Sequence, residues 1–284
     1  MKRSLLWAAV LTFLGTLFSS ALATAQVTHY VDNVDACSGR LPCHVTIMDA
    51  VNAAIPFDTI EVFPGVYHES VVFSHKGDIV LKAQSKARPP VIVSDGDAIF
   101  GLSSSRLQVL NFIIEAPNGI GVRVGFGGTS DVVIEGNLIK SANGIEVSPV
   151  VGGCTLRNNT VLGGQIRLGR DVSGCLVEGN TLDTADIVVC CEFVGPNVIR
   201  RNVVRGGGIV IGMGHNVGFT TVEGNFVSGS PGDGILVSRN SFTNTIQRNI
   251  SIENSGCDIN DMSEEPGNVW RNNRFATKCG RATE

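Results

Sequence analysis

Aromatic side chains are scarce in this sequence, at 6% of 284 residues with 2 Trp and 2 Tyr. A core built on large rings is therefore excluded. Charge is scarce too, at 17%, and no basic run occurs in a chain of net charge −4. Such a chain has no electrostatic footprint for nucleic acid and no attraction to an anionic membrane surface. No CxxC with a matching second half exists among the 8 Cys, and the five His (29, 44, 68, 75 and 215) are scattered along the chain, so no metal site is expected. Within the repeats described below, no apolar run is long enough for a helix.

What is present begins with Lys2 and Arg3, an apolar stretch from Leu5 to Leu22, and Ala23-Thr24-Ala25 as a small-x-small cleavage site. Residues 1–25 read as a secretory signal peptide, with retention as a membrane anchor the alternative. Removing Lys2 and Arg3 takes the charge from −4 to −6. The expected location is secreted or periplasmic, with no membrane contact after cleavage.

The rest of the chain repeats itself. IEGNLI at Asn137, LRNNTV at Asn159, VEGNTL at Asn180, IRRNVV at Asn202, VEGNFV at Asn225, IQRNIS at Asn249 and WRNNRF at Asn273 follow at intervals of 22, 21, 22, 23, 24 and 24 residues. A second series runs in step, with Ile at 120, 145, 166, 187, 209, 235 and 259. A period of this size marks a solenoid. Each unit holds short alternating apolar runs broken by Gly, Asn and Ser, as in one coil of a parallel β-helix. Stacked coils lie about 4.8 Å apart, so like residues form columns. The apolar columns are core, and each repeat Asn is the inside corner of a turn. The 34 Gly and 43% apolar residues suit many short strands around a narrow aliphatic interior.

The even Cys count in a chain that meets an oxidising compartment predicts disulfides. Cys37 and Cys43 close a small loop. Cys154 and Cys175 share one phase in adjacent coils, within bridging distance. Cys257 and Cys279 could staple the C-terminal end, while Cys190 and Cys191 are left without an assigned partner. TIMDAVNAAI has helical spacing, with Thr46 as N-cap, and would cover the first coil. The bounds are signal peptide 1–25, N-terminal cap 26–57, parallel β-helix 58–276 and C-terminal tail 277–284, in one elongated domain. Trp270 and Phe275 read as the closing plug of the core, with sugar stacking by Trp270 the alternative.

The order C…PC, TIxxAVxAA, DTIxVxPGxYxE, followed by GIxV…IxxNxI units, resembles the cap and coils of secreted right-handed parallel β-helix proteins of the pectin-lyase-like superfamily, over about residues 28–276. The resemblance implies an all-β, right-handed, single-stranded solenoid with a short N-terminal capping helix. For activity it implies little, because the superfamily spans lyases, hydrolases, esterases, epimerases and non-catalytic NosD-like members. Polygalacturonase-like motifs are missing apart from Gly214-His215, which falls after its strand. The Met and His rows that copper handling would need are missing as well.

Function must then come from the site. The resemblance places substrate along the strand of the GIxV series. Pleating turns outward the residues one before, one after and three after each Ile. Polar groups concentrate there in Arg123, Glu146, Gln165, Arg167 and Asp186. Glu146 and Asp186, with Cα atoms about 12 Å apart on ideal spacing, could act as acid and base, with Arg167 between them holding a substrate carboxylate. Arg123 and Gln165 flank them as substrate-binding groups. The competing reading is an exposed ion-pair row without chemistry. Calcium needs several oxygens, and the face offers two acids and Gln165, so no cofactor is expected. The expected partner is an extended, acidic polysaccharide, bound by a monomer. Non-catalytic binding is favoured over a lyase or an inverting glycoside hydrolase.

Overall fold

A computed structural model of the chain describes residues 25–192, 194–214, 217–264 and 267–282. The signal peptide expected at 1–25 lies, except for its last residue, outside them, as does His215. Successive coils lay short strands into three parallel sheets which, among the described residues, hold twelve (sheet I), nine (sheet II) and ten (sheet III) strands. From Ile145 on, the Ile series of the repeat is one unbroken column of sheet III; its first member expected from the sequence, Ile120, lies before its strand, and Val122 takes the place beside Ile145. Ile145 pairs with Ile166, then Ile187, Ile209, Ile235 and Ile259 in turn, and all six are fully buried. Val177, Ile199, Val222, Ile246 and Trp270 form the matching column of sheet I. β-branched residues dominate because they pack well on pleated surfaces and leave no polar atom to satisfy.

The Asn column sits at an inner corner. Seven amides, from Asn137 to Asn273, are joined head to tail, each Nδ2 donating to the next Oδ1 at 2.9–3.1 Å. Each Oδ1 from Asn159 onward also accepts the backbone N–H of the preceding Asn. The second Nδ2 proton goes to a carbonyl of the coil before, for example from Asn180 to Leu156 at 2.8 Å. Asn180 is thus completely buried with its donors and acceptors used, which is the condition for burying an amide cheaply.

A second, incomplete ladder occupies another corner, through Asn197, Asn244 and Asn268. Asn197 Oδ1 accepts from the Cys175 N–H, and Asn244 Nδ2 donates to Asn268 Oδ1 at 3.0 Å. Between Asn197 and Asn244 the position is held by Thr220, whose hydroxyl is buried without a hydrogen-bond partner. An Asn at this rung restores the missing amide. Thr220→Asn is expected to raise stability by about 1–2 kcal/mol, in the range of a newly satisfied buried polar group; an unchanged or lowered urea midpoint would show that the corner cannot admit it.

Both ends of the core are closed. β1 (Thr28–Val31) and β2 (Cys43–His44) open sheet I, and helix α1 (Ile47–Ala53) packs Ile47, Ala50 and Val51 over the first coil. Thr46 caps α1 by accepting the Asp49 N–H at 3.0 Å. Glu69 accepts the N–H groups of Ile47 and Met48, each at 2.9 Å, while Lys76 Nζ donates to the carbonyls of Val51, Asn52 and Ala54. The acid at the positive end and the amine at the negative end both suit the helix dipole. At the far end Trp270 is buried, with its Nε1 donating to Asp261 Oδ2 at 2.8 Å. That placement is the closing plug, and the indole offers no free face for a sugar.

Pairing extends past the bounds 58–276 expected for the solenoid. β1 pairs with β2 on one side and with Thr59–Val62 on the other, and Lys278–Gly280, inside the span read as a tail, pairs with Ile259–Asp261. Backbone groups at a sheet edge need partners, and the flanking segments supply them. Disulfides join Cys37 to Cys43, Cys154 to Cys175 and Cys257 to Cys279, as the spacing suggested. The two cysteines left unassigned, Cys190 and Cys191, are joined to each other.

Candidate functional site

On the outer face of sheet III the alternation of each strand sets one row in register: Phe100 beside Arg123, then Glu146, Arg167 and Val188. Arg123 lies against the Phe100 ring with its Cζ 5.9 Å from the centroid. Its Nη1 is 3.2 Å from Asp97 Oδ2, and its Nε is 3.5 Å from Glu146 Oε2. Arg167 Nη1 approaches Glu146 Oε1 at 3.9 Å. Asp97–Arg123–Glu146–Arg167 is therefore one alternating chain of charge over four rungs. Asp97 was not singled out in the sequence because it lies before its strand, in the turn that also receives the Ile120 N–H.

These approaches are long. The outer face of sheet I carries an ordinary ion-pair row for comparison, in which Arg157–Glu135, Arg200–Glu178 and Arg248–Glu223 all close at 2.8 Å. There the charges saturate one another, and Glu178 is held below the usual carboxylate range chiefly by the hydrogen bond from Arg200. On sheet III, by contrast, Arg123 Nε is buried with no hydrogen-bond partner; the Glu146 carboxylate is near enough to attract it but not to accept its proton. Arg167 spends Nε on Cys190 Sγ (3.2 Å) and Nη2 on Cys191 Sγ (3.3 Å), and sulfur is a weak acceptor.

The acids expected to work as a pair are placed differently. Arg167 leans forward to the Cys190–Cys191 bridge instead of spanning Glu146 and Asp186. Asp186 pairs in register with Gln165, in a neighbouring row, and its Oδ1 accepts the Gly208 N–H of the next coil at 2.7 Å. The structure thus brings Arg123, Glu146 and Arg167 together and gives Asp186 a bond that ties two coils. Further along, the face is aliphatic, with Val188, Val210 and Leu236 in the same row.

No group of three or more His, Cys, Asp or Glu residues converges as a metal cage among the described residues. Two of the histidines read as scattered do meet, however. His29 on β1 and His44 on β2 face each other, Nδ1 to Nε2, at 3.1 Å, and His29 Nε2 is 3.2 Å from Asp58 Oδ2. The fold brings them together by pairing β1 with β2 in parallel, which residue spacing alone did not announce.

Burial, then the neighbouring His29, push the His44 pKa below its ordinary 6.5, against the opposing pull of Asp49 on α1. Asp58 also lies below its usual range: burial raises it, but the N–H groups of Ile55 and Val27 and the His29 ring outweigh that. A histidine depressed in the folded state binds its proton more readily when unfolded. Its contribution is present above pH 6.5 and lost as pH falls below it. Thermal stability is expected to drop between pH 7.5 and 5.5 in the native chain and to drop less in His44→Gln; parallel melting profiles would refute this.

The chain matches no family model and no curated protein. Among solved structures it resembles the A-module of mannuronan C-5 epimerase AlgE6 from Azotobacter vinelandii, at 17% identity and TM-score 0.55 over 78% of this chain and 69% of that one. It also resembles pectate lyase Pel9A, at 12% and 0.55 over 90% and 80%. An alginate lyase from a Paenibacillus species matches at 11% and 0.52 over 89% and 99%. The fold is the parallel β-helix that these neighbours share, and the neighbours are polysaccharide-acting enzymes.

Proposed function

We propose that this is a secreted or periplasmic protein that binds an extended, acidic polysaccharide along the outer face of sheet III, without cleaving it. One observation carries the reading: Arg123 and Arg167 approach Glu146 only to 3.5 and 3.9 Å, and Arg167 gives its Nε and Nη2 to sulfur, whereas Arg157, Arg200 and Arg248 on sheet I each close on a carboxylate at 2.8 Å. A uronate carboxylate can take two parallel N–H bonds from a guanidinium, and Arg123 and Arg167 present two such groups two rungs apart. Glu146 acts between them as the counter-charge, and half-buried Val210 and Leu236 further along the row suit the apolar faces of sugar rings. The neighbours named above act on polysaccharides, and four disulfides fit an oxidising compartment. Among the described residues no helix is long and apolar enough to cross a membrane.

Cleavage has weaker support. Glu146 is flanked by two cations and Asp186 is bonded to a backbone N–H, so neither is placed as a ready proton donor. The test uses a panel of uronate and neutral glycans, read for binding and for new reducing ends or unsaturated products. Binding to uronate chains without products is expected. Arg123→Ala combined with Arg167→Ala should weaken that binding at least tenfold, about 1.4 kcal/mol. Undiminished binding by the double variant, or none by the native chain, refutes the site; products that fall about 100-fold with Glu146→Gln would establish the enzyme instead.

A further inference from the structure

Three of the four disulfides have a mechanical task. Cys37–Cys43 closes the cap loop, while Cys154–Cys175 and Cys257–Cys279 tie neighbouring coils, joining positions 21 and 22 residues apart. A cross-link stabilises a fold by restricting the unfolded chain, and the gain grows with the loop enclosed. Cys190 and Cys191 are adjacent, so their bond encloses a single peptide link. It ties no two parts of the chain together, and stability does not account for it.

The stack is also interrupted where the pair sits. Pairing of the Gln165–Leu168 strand with Asp186–Cys191 stops at Val189, and the following strand, Ile209–Gly214, shifts register between Val189 and Cys190. Cys191 takes φ +86°, in the left-handed region that a residue with a side chain adopts only at a cost. What the pair does touch is Arg167, which donates Nε–H to Cys190 Sγ at 3.2 Å and Nη2–H to Cys191 Sγ at 3.3 Å. On its other side Glu146 stands off at 3.9 Å.

We infer that Cys190–Cys191 is a redox switch on Arg167: a dithiol reductant opens the bond, and the thiolate it leaves neutralises the guanidinium and weakens the hold on a uronate chain. The inference rests on the binding face proposed above. A thiolate of the reductant attacks Cys191 Sγ, the half-exposed member of the pair, and the bond to buried Cys190 breaks. Cys190 departs as a thiolate beside Arg167 Nε, and a neighbouring guanidinium favours that ion over the thiol. The second thiol of the reductant then displaces Cys191 from the mixed disulfide as a thiol. The dithiol thereby becomes a disulfide and passes two electrons to the protein; of its two protons, one remains on Cys191 and the other goes to solvent. A disulfide sulfur is a weak, neutral acceptor and leaves Arg167 its full charge. A thiolate is a counter-ion, so the charged row then sets three anions, Asp97, Glu146 and Cys190, against two cations, and a carboxylate loses one of its two partners.

The test is a redox titration of the mature protein in mixtures of reduced and oxidised dithiothreitol, with free thiols trapped by N-ethylmaleimide and located by mass spectrometry, and uronate binding measured on the same samples. Binding is expected to weaken at least about threefold in step with the opening of Cys190–Cys191, the share of one guanidinium in the tenfold loss expected when both are removed. This titration of the native chain depends on no variant. Cys190→Ser combined with Cys191→Ser should bind alike with and without reductant. Ultraviolet thiolate absorbance near neutral pH gives a readout that needs no glycan, and the reduced native protein should show about one thiolate more than reduced Arg167→Gln. Failure of the oxidised chain to bind uronate refutes the binding face, and the switch with it. Undiminished binding by a chain whose Cys190–Cys191 bond is shown to be open, an equal redox response in the double serine variant, or equal thiolate in the native and Arg167→Gln proteins overturns the switch and leaves the face standing.

Discussion

Asn180→Leu should cost about 4 kcal/mol of folding stability, although it replaces a polar residue by an apolar one of similar size in a buried position. The leucine cannot accept the N–H and Nδ2 protons of Asn159, which both bond Asn180 Oδ1 at 3.0 Å. It also withdraws the donors serving Leu156 O and Asn202 Oδ1. Two buried donors left without partners cost about 1–3 kcal/mol each, which exceeds any gain from apolar burial. The solenoid makes the damage local in origin, because each coil touches only its neighbours. Equilibrium urea unfolding checks the value, with Asn52→Ala on the exposed side of α1 as a control expected to shift stability by a few tenths of a kcal/mol in the favourable direction. A loss below about 1 kcal/mol for Asn180→Leu would mean that the ladder is ornamental.

Gly144→Ala is expected to be nearly as damaging, and to reach the proposed binding face. Gly144 has φ +67°, a left-handed conformation, and a methyl group there would fall on the carbonyl oxygen of Gln165 in the next coil. The left-handed placement costs about 1–2 kcal/mol and the overlap about 1–3 kcal/mol more, for a total of about 3 kcal/mol. Relief comes only by pushing the Gln165–Leu168 strand away from Ile145–Val147, which parts Glu146 from Arg167. Loss of stability and weaker uronate binding should therefore appear together. Gly152→Ala is the matched control: it has no positive φ and open space at the new methyl, so a neutral or slightly stabilising change is expected. Equal effects of the two substitutions on the urea midpoint would refute the argument.

The solenoid was legible because its determinants repeat. An Asn every two dozen residues and an Ile in step with it admit one stacking, and the resulting columns of Asn180 and Ile166 stand where the period put them. That Arg123, Glu146 and Arg167 face outward followed from the same alternation, but the row they share did not, because the sequence aligned Ile120 with Ile145 where the strands align Val122. What the alternation does not encode is where a long side chain leans. Arg167 could rest on Asp186 or on Cys190, and the choice depends on the disulfide between Cys190 and Cys191, a bond between neighbours that coil-to-coil pairing does not suggest. The second ladder was obscured by its own gap, since Cys175 and Thr220 interrupt the Asn at its phase. His29 and His44 were hidden for a different reason: they belong to the cap, where no period relates one strand to the next.

Helix α1 spans seven residues, about half the length at which an isolated helix becomes marginally stable in water. Glu69 and Lys76, which grip its two ends, both come later in the chain, within the first coils. The lid therefore has no independent existence and waits for the barrel it closes. On a ribosome the segment made early would settle late, and until it does the first coil's edge stays open to whatever strand is nearby.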